Sequence, residues 1–122
     1  MEQILKEEEQ LLKDLPVMSF FVSIESKKII ANNSFIDNFV GYKVNNTLFS
    51  DIFKSNENDY LFKQITENNT PQKRLYHLEN GKFILLYAKK YNKSLIIFLG
   101  IDLLDAKKER DNIIAQKDIE LE

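Results

Sequence analysis

The sequence predicts an α+β domain: a five-stranded antiparallel sheet with short helices on one face and a helix at either terminus. Three observations predict it. Two groups of β-rich runs, 17–31 and 74–101, are divided internally only by short polar turns, so each group must be built from hairpins. Between them, Phe and Ile recur at helical spacing in stretches too short to fold alone. At the ends, 1–15 and 103–122 are charged, with apolar residues seven apart.

In residues 2–15, Ile4, Leu5, Leu11, Leu12 and Leu15 stand among Glu, Lys and Gln. The pairs Ile4–Leu11 and Leu5–Leu12 place one narrow apolar stripe on a charged helix, and Pro16 ends it because the residue before proline avoids helical backbone. Such a stripe needs a partner. It either caps the open face of its own sheet or pairs with the same helix of a second chain, and the two are compatible. Val17–Ile24 (VMSFFVSI) is expected as the first strand, Glu25-Ser26-Lys27 as a turn and Lys28–Ala31 as the second strand. Asn32-Asn33-Ser34 breaks that strand and can cap a helix over Phe35–Val40, which Gly41 closes in the left-handed conformation. Leu48, Ile52 and Phe53 mark a second helical turn, and Tyr60–Asn68 a third helix that buries Leu61, Phe62 and Ile65.

Arg74–Glu79, Lys82–Lys90 and Ser94–Ile101 then read as three consecutive strands. Asn80-Gly81 offers the two left-handed residues of a tight type I′ hairpin, and Tyr91-Asn92-Lys93 makes the next turn. In the last two strands apolar side chains fall on both faces: Ile84 and Leu86 oppose Phe83 and Leu85, while Ile96 and Phe98 oppose Leu95 and Ile97. Both faces are therefore expected to be covered, one by the small helices and the other by the terminal helices or a second subunit. In the final stretch, Asp105 can cap a helix whose apolar positions, Ala106–Ile113 and Ile114–Leu121, repeat at seven. That helix reads as cut off in mid-course, and the chain as a piece of a longer protein.

With 122 residues and 43% hydrophobic content, the sequence supports one domain and one core. Seventeen basic against nineteen acidic residues leave a net charge of -2 and no basic stripe, which removes nucleic acid as an expected partner. Cysteine is absent, so disulfides, thiolate metal sites and cysteine nucleophiles are excluded together. The longest apolar run, around Leu95–Ile101, falls far short of the roughly 20 residues that cross a bilayer. The acidic N-terminal residues are unlike a signal peptide, and a cytoplasmic setting without membrane contact is expected.

The second strand runs into Ile30-Ala31-Asn32-Asn33-Ser34-Phe35, and Gly41-Tyr42 closes the helix that follows. This resembles the PAS sensory-domain pattern of strand, Asn, small residue, aromatic, then Gly-Tyr, with either Asn32 or Asn33 at the Asn. The Asn80-Gly81 hairpin is similar to the one before that family's penultimate strand. Gly100-Ile101-Asp102 followed by Asp105–Arg110 resembles the Asp-Ile-Thr-Glu-Arg-Lys junction at which such domains pass into a signalling helix, with Leu103 in place of the threonine. The resemblance covers nearly the whole chain. It implies a PAS-like core over 16–102, a capping or dimerisation helix over 1–15 and the start of a signalling helix over 103–122. It further implies a sensor, dimeriser or relay in a bacterial-type signalling protein such as a two-component system, working as a homodimer on a C-terminal effector. The alternative is a ligand-free scaffold for protein partners.

A ligand pocket between helices and sheet would be lined by Phe20, Phe35, Ile36, Phe39, Ile52, Leu61, Phe62, Ile65, Tyr76, Leu86 and Phe98. Nine phenylalanines either enclose a small apolar or aromatic ligand or simply fill the core. Tyr76 and Tyr87 either present a hydroxyl to that ligand or point it to water. The flavin photochemistry of the family's light-sensing branch requires a cysteine and is excluded; the absence of tryptophan argues against flavin of the redox type. Haem would have to use His77, the one histidine, which falls on a strand rather than on the preceding helix and reads as a half-exposed strand residue. No cofactor and no metal is assigned. Acidic residues concentrate in terminal helices and polar loops, as solvated faces do, so catalysis is not expected. Ile4, Leu5, Leu11, Leu12 and Leu15, with the outward Leu95, Ile97 and Leu99, are the expected dimer surface, and Asp102 the junction to the exit helix.

Overall fold

A computed structural model describes residues 6–103. The elements follow as α1 (Lys6–Asp14), β1 (Met18–Ser23), β2 (Ile29–Asn32), α2 (Ser34–Val40), α3 (Phe49–Ile52), α4 (Asn58–Thr66), β3 (Gln72–His77), β4 (Phe83–Lys90) and β5 (Leu95–Asp102). The strands form one antiparallel sheet in the order β2-β1-β5-β4-β3, as the hairpin grouping predicts. The first and last strand groups meet where β1 pairs with β5, Phe20 facing Phe98 and Phe21 facing Ile97. The exit helix expected over 103–122, its cap Asp105, and Ile4 and Leu5 of the first stripe lie outside the described residues but for Leu103. Among the described residues no helix is long and apolar enough to cross a membrane.

The small helices cover one face. In α2, Ile36, Phe39 and Val40 recur at three and four residues and are buried, whereas Phe35 sits on the opposite side of the helix and is 50% exposed. Phe35 is thus no pocket residue. Gly41 ends α2 at φ +99°, where a residue with a Cβ would be strained, and its N–H donates to the Asp37 carbonyl at 2.8 Å.

Three further expectations change. The 78–82 hairpin is not of type I′: only Gly81 takes a positive φ, +85°, and the bonds from Leu78 N to Lys82 O and Gly81 N to Leu78 O enclose a three-residue loop. Asn80 instead turns its amide onto the last carbonyls of α2, Phe39 and Val40, at 3.0 and 3.3 Å. Asn33 occupies the N-cap of α2 but makes no side-chain cap bond, since its amide is committed to β1 and the end of α1. Among the described residues, the second sheet face is only half covered. α1 buries Leu12 against Phe21, Ala31 and Leu95, with Leu15, Ile30 and Ile97 packed around them. Leu12 and Leu95, expected at a dimer surface, are therefore buried within the chain; Leu12 caps its own sheet, while Leu11 of the same stripe is exposed. Beyond α1, Leu75, Phe83, Tyr87 and Ile101 stand exposed, with Leu85 and Leu99 half-buried between them.

Candidate functional site

The interior between helices and sheet is a stack of rings. Phe20 lies parallel to Phe98 at 4.9 Å and to Phe53 at 5.5 Å. Phe49 closes the group at 4.7 Å from Phe98 and 5.0 Å from Phe53, with Phe62 edge-on at 5.4 Å. Of the predicted lining residues, ten converge on this core: Phe20, Ile36, Phe39, Ile52, Leu61, Phe62, Ile65, Tyr76, Leu86 and Phe98. Among them the aromatic Phe20, Phe62 and Phe98 pair with one another, and the aliphatic ones are buried around them. Phe49 and Phe53, absent from the predicted lining, are central to it. Phe53 was legible as part of the short helical turn with Leu48 and Ile52, while Phe49 was hidden by a four-residue helix too short to show a period.

A polar group crosses the edge of this stack. Tyr76 donates its hydroxyl to Asn58 Oδ1 at 2.7 Å, and the Asn58 amide donates to the Phe53 carbonyl at 2.6 Å and to Ser50 Oγ at 3.1 Å. Asn58 is 4% exposed and Tyr76 3%. Burial pushes the Tyr76 phenol up to about 12, a shift that neighbouring Arg74 opposes and Glu57 reinforces. The tyrosine hydroxyl thus points neither to water nor to a cavity; it ties β3 to α3 and α4.

A cleft of about 250 Å³ lies outside the core, between the end of α2, α3 and the β3–β4 hairpin, lined by Val40, Tyr42, Asp51, Ile52, Leu78, Glu79 and Asn80. Ile52 alone among the predicted pocket residues borders it. At its rim Lys54 Nζ donates to Glu79 Oε1, which raises the lysine above its ordinary value and holds the carboxyl below its own. His77 is exposed and stacks on Phe83, centroids 4.2 Å apart, as the sequence reading of a strand surface histidine expects. Among the described residues no group of three His, Cys, Asp or Glu could hold a metal ion.

The arrangement matches solved structures. The LOV protein of Rhodobacter sphaeroides superposes with a TM-score of 0.65 over 84% of this chain and 69% of that one, at 11% identity. A domain assigned to a light and redox sensing histidine kinase of Haloarcula marismortui superposes with a TM-score of 0.57 over 80% of this chain and 97% of that one, at 9% identity. The chain has the PAS fold. No family model and no curated protein matches the sequence.

Within the PAS fold the two candidate asparagines separate. Asn32 is half-buried and donates only to the Asn33 carbonyl, at 2.9 Å. Asn33 is 5% exposed; its amide reaches Val17 O at 2.6 Å, Ser19 Oγ at 2.8 Å and Leu12 O at 3.2 Å, and its Oδ1 accepts from Ser19 N at 3.2 Å. Asp102 ends β5 opposite Ile84, where the strand leaves the sheet.

Proposed function

We propose that this chain is a sensory or relay PAS domain that works as a homodimer and passes changes in its core through β5 to a C-terminal effector, in a cytoplasmic signalling protein. One observation carries the reading: the apolar face of β3, β4 and β5 that α1 leaves open. Its residues stand in register, Leu75 beside Leu85 and Ile101, and Tyr87 beside Leu99. A contiguous apolar patch of this kind on a small domain marks an interaction site. A second copy fits it by charge. Lys73 and Lys89 flank Tyr87 on the open face, and α1 presents Glu7 and Glu9 outward from its first turn. The same strand links the face to the core, since Phe98 stacks inside while Ile97, Leu99 and Ile101 point outside.

The close pairing of Phe20, Phe49, Phe53 and Phe98 favours relay or scaffold action over a ligand held among these rings. Native mass spectrometry and light scattering test both halves. The wild-type chain is expected as a dimer without added mass, and Leu75→Lys with Ile101→Lys as a folded monomer. A wild-type monomer at tens of micromolar, or a double variant that still dimerises, would overturn the assignment of this face. A retained small molecule would instead make the domain a direct sensor.

A further inference from the structure

We infer that the cleft between the end of α2, α3 and the β3–β4 hairpin is a binding site for a small organic ammonium, an amine carrying a compact apolar body. The ligand's charge takes the position that Lys54 Nζ holds beside Glu79, and its body lies against the apolar wall within. Such a site stands whether or not the open sheet face pairs two chains.

The cleft has two kinds of wall. Val40, Ile52 and Leu78 are apolar and nearly buried, and all three belong to the core cluster. Asp51, Glu79 and Tyr42 are exposed and bring two carboxylates and a ring to the same cleft. Its shape is set by bonds that leave those groups available. The Asn80 amide ties the hairpin to α2 through the Phe39 and Val40 carbonyls, and Gly41, in the left-handed conformation, turns the chain at the end of α2 just before Tyr42. Among the described residues the Asp51 carboxylate makes no salt bridge and accepts no hydrogen bond. At about 250 Å³ the cleft lies below the roughly 300–1,000 Å³ of pockets for drug-sized molecules. The occupant is correspondingly small.

The sign of the ligand's charge follows from what already sits at the rim. Lys54 Nζ donates to Glu79 Oε1, and its positive charge is favoured by Glu79 first and by Asp51 and Tyr42 besides. Two carboxylates against one ammonium leave a negative charge in excess. Lys82, the cation of the hairpin, does not line the cleft; it lies over the Phe39 ring, 5.0 Å from the centroid. The hold on Lys54 is weak, because its side chain is 58% exposed and that of Glu79 80%, so water competes for both. A free amine gains what Lys54 leaves unused. The lysine does not line the cleft, so Val40, Ile52 and Leu78 remain open to an apolar body, and Tyr42 offers an aromatic ring to its cation. The ligand would then press on core residues from outside. Ile52 adjoins Phe53, whose ring stacks on Phe20 at 5.5 Å, so occupancy reaches the ring stack without entering it.

Benzylamine, an ammonium at neutral pH, is the probe, titrated into the full chain labelled with nitrogen-15 and followed by amide chemical shifts. Saturable shifts are expected at the lining residues of the cleft. Lys54→Met removes the tethered competitor from an exposed position and should tighten benzylamine about tenfold, an effect opposite to that of losing a ligand contact. In that background Asp51→Asn, also at an exposed position, should weaken it about fivefold. Benzyl alcohol, of the same shape without the charge, and methylamine, the charge without the body, should each bind at least about tenfold more weakly. Binding unchanged or weakened in Lys54→Met overturns the site, as do shifts spread over the surface or centred on Phe20 and Phe98. Benzyl alcohol binding as well as benzylamine would refute the ammonium, and calcium chloride moving the same amides with equal affinity would hand the carboxylates to a metal ion instead.

Discussion

Replacing Asn58 by alanine removes the one side chain that satisfies both a buried phenol and a buried carbonyl. The Tyr76 hydroxyl loses its acceptor at 2.7 Å and the Phe53 carbonyl its donor at 2.6 Å, in residues 3% and 0% exposed. A buried polar group left without a partner costs about 1–3 kcal/mol, so two of them place the loss at about 3–4 kcal/mol. That is a large share of the roughly 5–15 kcal/mol by which a domain is stable. Tyr76→Phe orphans only Asn58 Oδ1 and should cost about 1–2 kcal/mol. The double variant then has no stranded hydroxyl. It should be more stable than the sum of the singles predicts by about 1–2 kcal/mol, the signature of direct coupling. Urea denaturation followed by far-ultraviolet circular dichroism measures all three. A loss below about 1 kcal/mol in Asn58→Ala, or singles that add within about 0.3 kcal/mol, would refute the argument that this group is dry and mutually satisfied.

Alkali should find the same tyrosine. Its phenol is raised from 10 to about 12 in the folded state, so the stability this contributes is fully present below pH 10 and is lost as pH rises through about 12. Over that window unfolding should become easier by about 3 kcal/mol, and a late tyrosinate absorbance component should vanish in Tyr76→Phe. Gly100→Ala should destabilise by about 1–3 kcal/mol in thermal melts, because its Cβ would meet Ile84 Cδ1 at 2.7 Å and Met18 Cβ at 3.3 Å in a packed core. Leu12→Ala should cost about 2–3 kcal/mol and increase binding of a hydrophobic dye as the face under α1 opens, both read in one titration.

Much of the fold was legible because its signals are local. Gly41 at the end of α2, the apolar 95–101 run and the 72–102 meander each announce themselves within a few residues. Less legible was anything decided by long-range pairing. Asn33 reads as a cap from its neighbours, yet its amide partners are 14 to 21 residues away, and Asn58 reads as a loop residue until β3 brings Tyr76 to it. Phe35 was misplaced for a simpler reason: one turn of helix carries apolar residues on both sides, and composition cannot say which side meets the sheet. The heptad spacing of the N-terminal stripe suited a partner helix and a cover equally, and the burial of Leu12 against Phe21 shows a cover at that one residue.

The strand β5 carries Phe98 into the ring stack and Ile97 into the cluster under α1, at adjacent positions on opposite faces. Both neighbours hold it at fixed pairings, Phe20 and Ala88 to Phe98, Phe21 and Lys89 to Ile97. Sliding by one residue would drive isoleucine into the rings and phenylalanine out beneath the helix, so the register cannot serve as a variable. A change in packing on either face of β5 is therefore met by the opposite face at the neighbouring position, with the strand's pairing unchanged.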